Sequence, residues 1–210
     1  RQFNDIISIG IGGSHLGPFL VAEALKSHSG PNVHFAANLD GHDLASALEN
    51  SNPETTQIVI TSKSFATEET LINAESAITW LTNALGSEAL SKHVVAITAN
   101  PEAASSLGIP ASHIFPIWDW VGGRFSLWSA VGLQAALAIG WASFSKLLDG
   151  AHEMDRHFQT APLAENLPVL IALAGIWNIN IEALGSLAVV PYDHRIALLP
   201  AYLQQLDMES

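Results

Sequence analysis

Residues 6–18, Ile6-Ile7-Ser8-Ile9-Gly10-Ile11-Gly12-Gly13-Ser14-His15-Leu16-Gly17-Pro18, read as a buried strand that runs into a glycine-rich turn and then a helix. A turn of this kind aims backbone N–H groups and a helix N-terminus at an anion. It is not a dinucleotide fingerprint, because Gly10 and Gly12 fit but His15 stands at the third glycine position. It is not a Walker A loop, since no Gly-Lys-Ser/Thr follows, nor a nucleophile elbow, since Leu16 replaces the last glycine of G-x-S-x-G. A tight strand-to-helix turn with Ser14 as N-cap fits the same residues, and the stretch alone leaves both readings open.

Working outward, further β-rich runs fall at Val33 to Ala37, Gln57 to Thr61, Val94 to Thr98 and His113 to Trp118. Helical patterns separate most of them. The clearest spans Thr67 to Leu85, where Leu71, Ala74, Ile78, Leu81 and Leu85 step by three and four onto one face. Strands alternating with helices predict the α/β class, a mostly parallel five-stranded sheet covered by helices on both sides. After Trp120 the pattern changes to long helical stretches, Arg124 to Gly140, Ala142 to Thr160 and Leu163 to Leu184, expected to pack as a helical layer or arm. A last strand is expected at Leu187 to Val190, and a final helix beginning near Pro200.

The 210 residues are 49% hydrophobic and 13% charged, which fits one packed domain or a large piece of one and excludes a disordered, collagen-like or coiled-coil chain. Mean hydropathy is +0.28, yet the longest run free of polar residues, Leu167 to Trp177, is too short to span a bilayer. No membrane association is therefore expected. A net charge of −12 repels polyanions, so nucleic acid is not an expected partner. An anionic metabolite would have to be held by local donors against that field. Without cysteine there is no disulfide, thiolate nucleophile or Cys-ligated metal. His152 and His157 are spaced i, i+5 and point to different helix faces, and His194 has only Asp193 beside it, so no metal site is expected. The chain opens on Arg1 rather than Met and without a signal-like segment, which reads as a chain cut from something longer.

Three further stretches carry chemistry. In Thr61-Ser62-Lys63-Ser64-Phe65-Ala66-Thr67-Glu68-Glu69-Thr70, the four hydroxyls of Ser62, Ser64, Thr67 and Thr70 and one lysine lie between a strand and a helix, a set able to surround a phosphate with neutral donors. Helix capping accounts for one or two of those hydroxyls, and Glu68 and Glu69 suit the helix dipole while opposing a phosphate on the same turn. In Trp118-Asp119-Trp120-Val121-Gly122-Gly123-Arg124, the cation lands at an expected helix start, where it requires an anionic partner. That partner is either Asp119 or charge developing on a substrate. In the terminal helix Gln205 and Glu209 share a face at i, i+4, where an amide and a carboxylate address one ligand or simply face solvent.

Together these segments resemble the glucose-6-phosphate isomerase (phosphoglucose isomerase) family and its sugar-isomerase (SIS) domain. The matching residues are I-G-I-G-G-S-H-L-G-P at Ile9 to Pro18, S-K-S-F-A-T-E-E-T at Ser62 to Thr70, G-G-R-F-S-L-W-S-A-V-G at Gly122 to Gly132 and Y-L-Q-Q-L-D-M-E-S at Tyr202 to Ser210. They occur in the family's order across nearly the whole chain. Two departures stand out: His15 replaces a common Asp, and Ser64 a common Thr.

The resemblance implies that Ser62, Lys63, Ser64 and Thr67 form the sugar-phosphate loop, with Gly13 and Ser14 lining the same site. It implies that Arg124 stabilises an enediolate, that Gln205 contacts substrate and that Glu209 is the base moving a proton between C2 and C1 of glucose 6-phosphate and fructose 6-phosphate. No metal or other cofactor is implied; a homodimer and a cytoplasmic location are. Residues 1–210 would form the first SIS domain of a longer isomerase, whose second domain, ring-opening histidine and late lysine lie outside this sequence. By itself the chain is expected to fold but not to isomerise, leaving an apolar patch exposed around Pro200 to Leu206. A non-catalytic sugar-phosphate-binding domain is the main alternative. A dinucleotide-binding oxidoreductase domain, suggested by Gly10-x-Gly12 and Asp40, is a further one.

Overall fold

The computed structural model describes residues 3–26 and 30–209. Five strands, β1 (Asp5–Ile9), β2 (Asn32–Ala36), β3 (Thr56–Thr61), β4 (Val94–Thr98) and β5 (Ile114–Pro116), form one sheet in the order β2-β1-β3-β4-β5. Every pairing is parallel, with Ser8 of β1 opposite Val59 of β3 and Thr61 opposite Ile97 of β4. β1, β3 and β4 are buried almost throughout, as central strands covered on both faces must be.

Alternation along the strands sorts side chains between two cores. Ile7, Ile9, Ile58, Ile60 and Ala96 face α2 (Gly41–Glu49), α3 (Glu68–Leu85) and α5 (Pro101–Ser106). Ile6, Val59, Val95 and Ile97 face the opposite side, where Val131 packs with Leu133 and Leu137 of α6 (Leu133–Ile139). Beside them α1 (Leu16–Ala24), α6 and Phe144 of α7 (Trp141–Thr160) share a third apolar cluster. The short α4 (Leu90–His93) leads into β4. Local signals set the helix ends: Asp40 caps α2 through the His42 N–H, Asn100 caps α5, and Gly86 at φ +82° ends α3.

The expected α/β class with a parallel five-stranded sheet is what the chain adopts. Several local expectations are corrected. α1 begins at Leu16 with His15 at its cap, and Ser14 lies in a preceding 3-10 turn, Gly12–Ser14, without capping the helix. β5 is three residues long: His113 is taken into a 3-10 turn, and Pro116 ends the edge strand, the Ile117 N–H making the last bond to the Thr98 carbonyl. The stretch from Arg124 is not one helix: Ser126–Trp128 and Ala130–Gly132 are 3-10 turns, interrupted by the Ser129 hydroxyl accepting from the Val131 N–H, and only Leu133–Ile139 is α-helical. Asn166 caps α8 (Leu167–Asn180), so the helix starts later than Leu163. Leu187 to Val190 forms no strand, because a strand needs a hydrogen-bonding neighbour and this segment pairs with neither sheet edge. The last helix, α9 (Leu199–Met208), includes Leu199.

Candidate functional site

In this strand order β1 and β3 are neighbours whose connections leave toward opposite faces of the sheet, so their C-terminal ends open a crevice. An open cleft of about 580 Å³ lies there. The turn after β1 contributes Gly13 and Ser14, the loop after β3 contributes Ser62, Lys63, Ser64 and Thr67, and Thr70 follows from α3. The Ser62 and Thr67 hydroxyls are 3.2 Å apart, and Ser64 Oγ accepts from the Ala66 N–H. Thr70 Oγ1 is buried without a hydrogen-bond partner. Glu68 and Glu69 are exposed and do not line the cleft, so neither carboxylate meets an anion held there directly, and solvent screens what repulsion remains.

The loop after β3 is held from beneath. Phe65 is buried with φ +52°, a left-handed conformation that costs on the order of 1 kcal/mol for such a residue and is enforced by its anchored ring. The Lys63 carbonyl accepts from the Ala99 N–H and the Thr98 hydroxyl, and Asn100 Nδ2 donates to the Ser64 carbonyl. The Lys63 ammonium donates to the Asp119 carbonyl at 2.6 Å, tying this loop to the one after β5.

Glycine is required where the loops meet. A Cβ on Gly13 would collide with the backbone carbon of Gly123 and with Arg124 N. Gly12 has φ +56°, and a Cβ there would lie 3.0 Å from Gln205 Nε2. Gly17 likewise makes room for the Tyr202 ring and Leu127, which seats α9 on α1. That burial pushes the Tyr202 phenol above its ordinary pKa.

α9 therefore delivers its polar face to the glycine turn. Gln205 Nε2 donates to Glu209 Oε1 at 3.1 Å, and Arg124 Nη1 stands 3.9 Å from Glu209 Oε2. Arg124 lies in a turn ahead of Ser126–Trp128, not at a helix start, and its guanidinium also covers the Phe125 ring at 5.0 Å. Of the two partners weighed from sequence, Asp119 meets Lys63 through its backbone; Glu209 places a carboxylate near Arg124. His15 does not line the cleft. It stacks on Phe19 and meets the edge of Phe35, with Nδ1 unpartnered, and burial lowers its pKa against a smaller opposing pull from Asp43. Among the described residues no group of three or more His, Asp or Glu side chains is placed to hold a metal ion, and no helix is long and apolar enough to cross a membrane.

A sequence profile described as phosphoglucose isomerase matches residues 1–210. The chain belongs to the phosphoglucose isomerase family. Glucose-6-phosphate isomerases of Marinomonas sp. (strain MWYL1) and Hahella chejuensis (strain KCTC 2396) are each 52% identical to it over 213 residues. Those matches cover 100% of this chain but 39% and 38% of the relatives, so the chain spans about two fifths of their length. A crystal structure of a glucose-6-phosphate isomerase from Chlamydia trachomatis superposes with a TM-score of 0.88 at 35% identity, over 99% of this chain and 40% of that one. A hypothetical protein from Thermus thermophilus superposes at 0.80 and 32% identity, over 97% and 48%. Membership of the phosphoglucose isomerase family displaces the dinucleotide reading, and Asp40, which that reading needed, is engaged in capping α2.

All nine residues singled out from sequence lie at this edge of the sheet: Gly13, Ser14, Ser62, Lys63, Ser64 and Thr67 on the cleft, and Arg124, Gln205 and Glu209 linked to its glycine turn. Asn100, which lines the cleft, was missed; its place directly after β4, on the same edge as the other loops, was the available signal. Gln134, beneath the site, was also missed, though it is a lone amide in an apolar run.

Proposed function

We propose that this chain supplies the phosphate-binding and proton-transfer side of an aldose–ketose isomerase site that interconverts glucose 6-phosphate and fructose 6-phosphate in the intact protein. The observation that carries the reading is a carboxylate and a guanidinium 3.9 Å apart, brought by α9 and the loop after β5 to the edge of a cleft rich in hydroxyls. Ser62, Ser64 and Thr67 hold the phosphate with neutral donors, which suits a chain of net charge −12, and Thr70, whose buried hydroxyl is unpartnered, lines the same cleft. Lys63 adds a cation on the cleft, and Gly13 and Ser14 form its opposite wall.

Isomerisation needs a base in reach of the C–H beside a carbonyl and a positive group near the oxygen that becomes an enediolate. Glu209 takes the proton from C2 and returns it to C1, while Arg124 offsets the oxyanion. Gln205, bonded to Glu209 and lying against Gly12, orients the carboxylate and contacts the sugar. Moving a proton between adjacent carbons asks for no redox group or metal.

Residues 1–210 act in this reading as one SIS-type unit within a cytoplasmic homodimer, and the exposed apolar surfaces of α8 and α9 support further association. A titration of the chain with millimolar glucose 6-phosphate, followed by amide resonances of residues 61–70, tests the phosphate loop. Shifts concentrated there are expected, and their absence would remove the assignment. A binding-only domain is the outcome if the phosphate binds but Glu209 proves dispensable for proton exchange in a protein of the relatives' full length.

A further inference from the structure

Beneath the cleft lies a polar contact that none of the roles above uses. Gln134, the second residue of α6, is fully buried. Its Nε2 is 3.1 Å from Ser8 Oγ on β1 and 3.0 Å from Thr61 Oγ1 at the end of β3. A hydroxyl both donates and accepts, so the carboxamide engages both side chains in either orientation. Its Oε1 has no hydrogen-bond partner. The rest of α6 is Leu, Ala, Ala, Leu, Ala and Ile, so the position sits in an apolar run. An apolar side chain of the same length would avoid the buried, unpartnered oxygen. The same replacement would also leave the buried Ser8 and Thr61 hydroxyls without this partner, so local stability is divided and by itself gives no decisive reason for a glutamine here.

Its location gives one. Thr61 lines the cleft and directly precedes Ser62. Gly10 packs so closely on it that a Cβ at residue 10 would lie 2.9 Å from the Thr61 carbonyl oxygen and 3.0 Å from Ser14 Cβ. The two hydroxyls that Gln134 holds thus belong to the strands that lead into the glycine turn and the hydroxyl loop, while α6 itself follows the segment that carries Arg124. With its hydroxyl drawn down to Gln134, Thr61 keeps one rotamer at the floor of the cleft and does not turn that hydroxyl toward the anion space.

We propose that Gln134 is a positioning residue of this site, a buried amide that fixes the loops after β1 and β3 and the Arg124-bearing segment relative to one another. The proposal rests on the phosphate-binding reading given above for its consequence in binding, and on the Gln134 contacts alone for its consequence in the empty protein.

Gln134→Met keeps the length of the side chain and removes the hydrogen bonds. In the anion-free chain it is expected to speed hydrogen exchange at the Gly12, Thr61 and Ser62 amides while the urea midpoint changes little, because relief of the unpartnered Oε1 offsets the partner lost by the Ser8 and Thr61 hydroxyls. Glucose 6-phosphate affinity should fall roughly three- to tenfold, the range for losing one or two modest hydrogen bonds. Thr61→Val, which removes the other end of one contact, should act in the same direction, and Q134M in a T61V background should weaken binding less than it does alone. Should Q134M not fold, T61V carries the same expectation. A purely structural glutamine would lower the urea midpoint and leave exchange at the site and affinity unchanged, and that result overturns the proposal. Failure of the unmodified chain to bind glucose 6-phosphate overturns the phosphate reading instead, and the exchange comparison still decides whether Gln134 holds the loops.

Discussion

The sheet and α8 are both strongly apolar in sequence but end in opposite environments. β1, β3 and β4 are enclosed, with Ile7, Ile58 and Ile60 at 0% exposure. α8 carries Leu, Val and Ile on all sides and has no buried residue; Ile171 is 72% exposed and Trp177 54%. Phe125, Leu187, Val189, Leu203, Leu206 and Met208 line a groove beside α9, the region where an apolar patch was expected. Hydropathy marks which segments favour burial, but only neighbours in the chain decide which of them are buried. The site straddles this divide: its hydroxyl loop is rooted in the core, and its carboxylate rides on a helix with no buried residue.

The largest effect should come from the exposed half. In a protein of the relatives' full length, Glu209→Gln is expected to reduce exchange of the C2 proton with deuterated solvent by roughly 10²- to 10⁴-fold, with inhibitor binding nearly intact. Arg124→Ala should lower turnover more than affinity, because the charge it faces develops only after proton abstraction. Unchanged exchange in the glutamine variant would take Glu209 out of the base role and leave the rooted half as a binding site alone.

Stability should show the reverse asymmetry. Ile58→Ala removes a fully enclosed side chain and is expected to destabilise the chain by about 2–5 kcal/mol in urea unfolding, against less than about 0.5 kcal/mol for Ile171→Ala. Similar losses at both positions would mean that α8 is covered in solution. Gly13→Ala is expected to fall between, at about 1–3 kcal/mol, because its Cβ would press on the Gly123 backbone, and it should weaken anion binding as well. Gly41→Ala, with nothing within 4 Å of the added Cβ, serves as its control.

The sheet was legible because β1, β3 and β4 are short apolar runs separated by helical periodicity, a pattern that admits few topologies. The cleft loops were legible because hydroxyls and glycines cluster directly after strands. Failures fell where a neighbour or a single residue decides the outcome. Leu187 to Val190 has strand composition but no edge to join, and Ser129 and Gly132 break a stretch whose apolar spacing looks helical. The proximity of Arg124 to Glu209 was implied by the family resemblance alone and not by spacing or composition, since it depends on α9 docking through Tyr202 against Gly17, across most of the chain.

The smallest effect should appear at His15, on the rooted side of the divide. Its ring is packed between Phe19 and Phe35, and burial holds its pKa below the ordinary 6.5. In the unfolded chain the same imidazole takes a proton at its ordinary pKa. Above that pH the group is neutral in both states and contributes no pH dependence. As pH falls below about 6.5 the unfolded state binds the proton first, so folding stability declines until the lowered folded-state pKa is passed, and then levels off. His15→Phe keeps an aromatic ring in the stack and removes both the titration and the unpartnered Nδ1. The urea midpoint of the variant minus that of the unmodified chain should grow as pH is lowered from about 7.5 to about 5.5, because the variant lacks this titration while groups not coupled to His15 cancel in the difference. Parallel midpoint curves would show that the fold does not resist charging His15, and that this turn is wetter than its packing against Phe19 and Phe35 indicates.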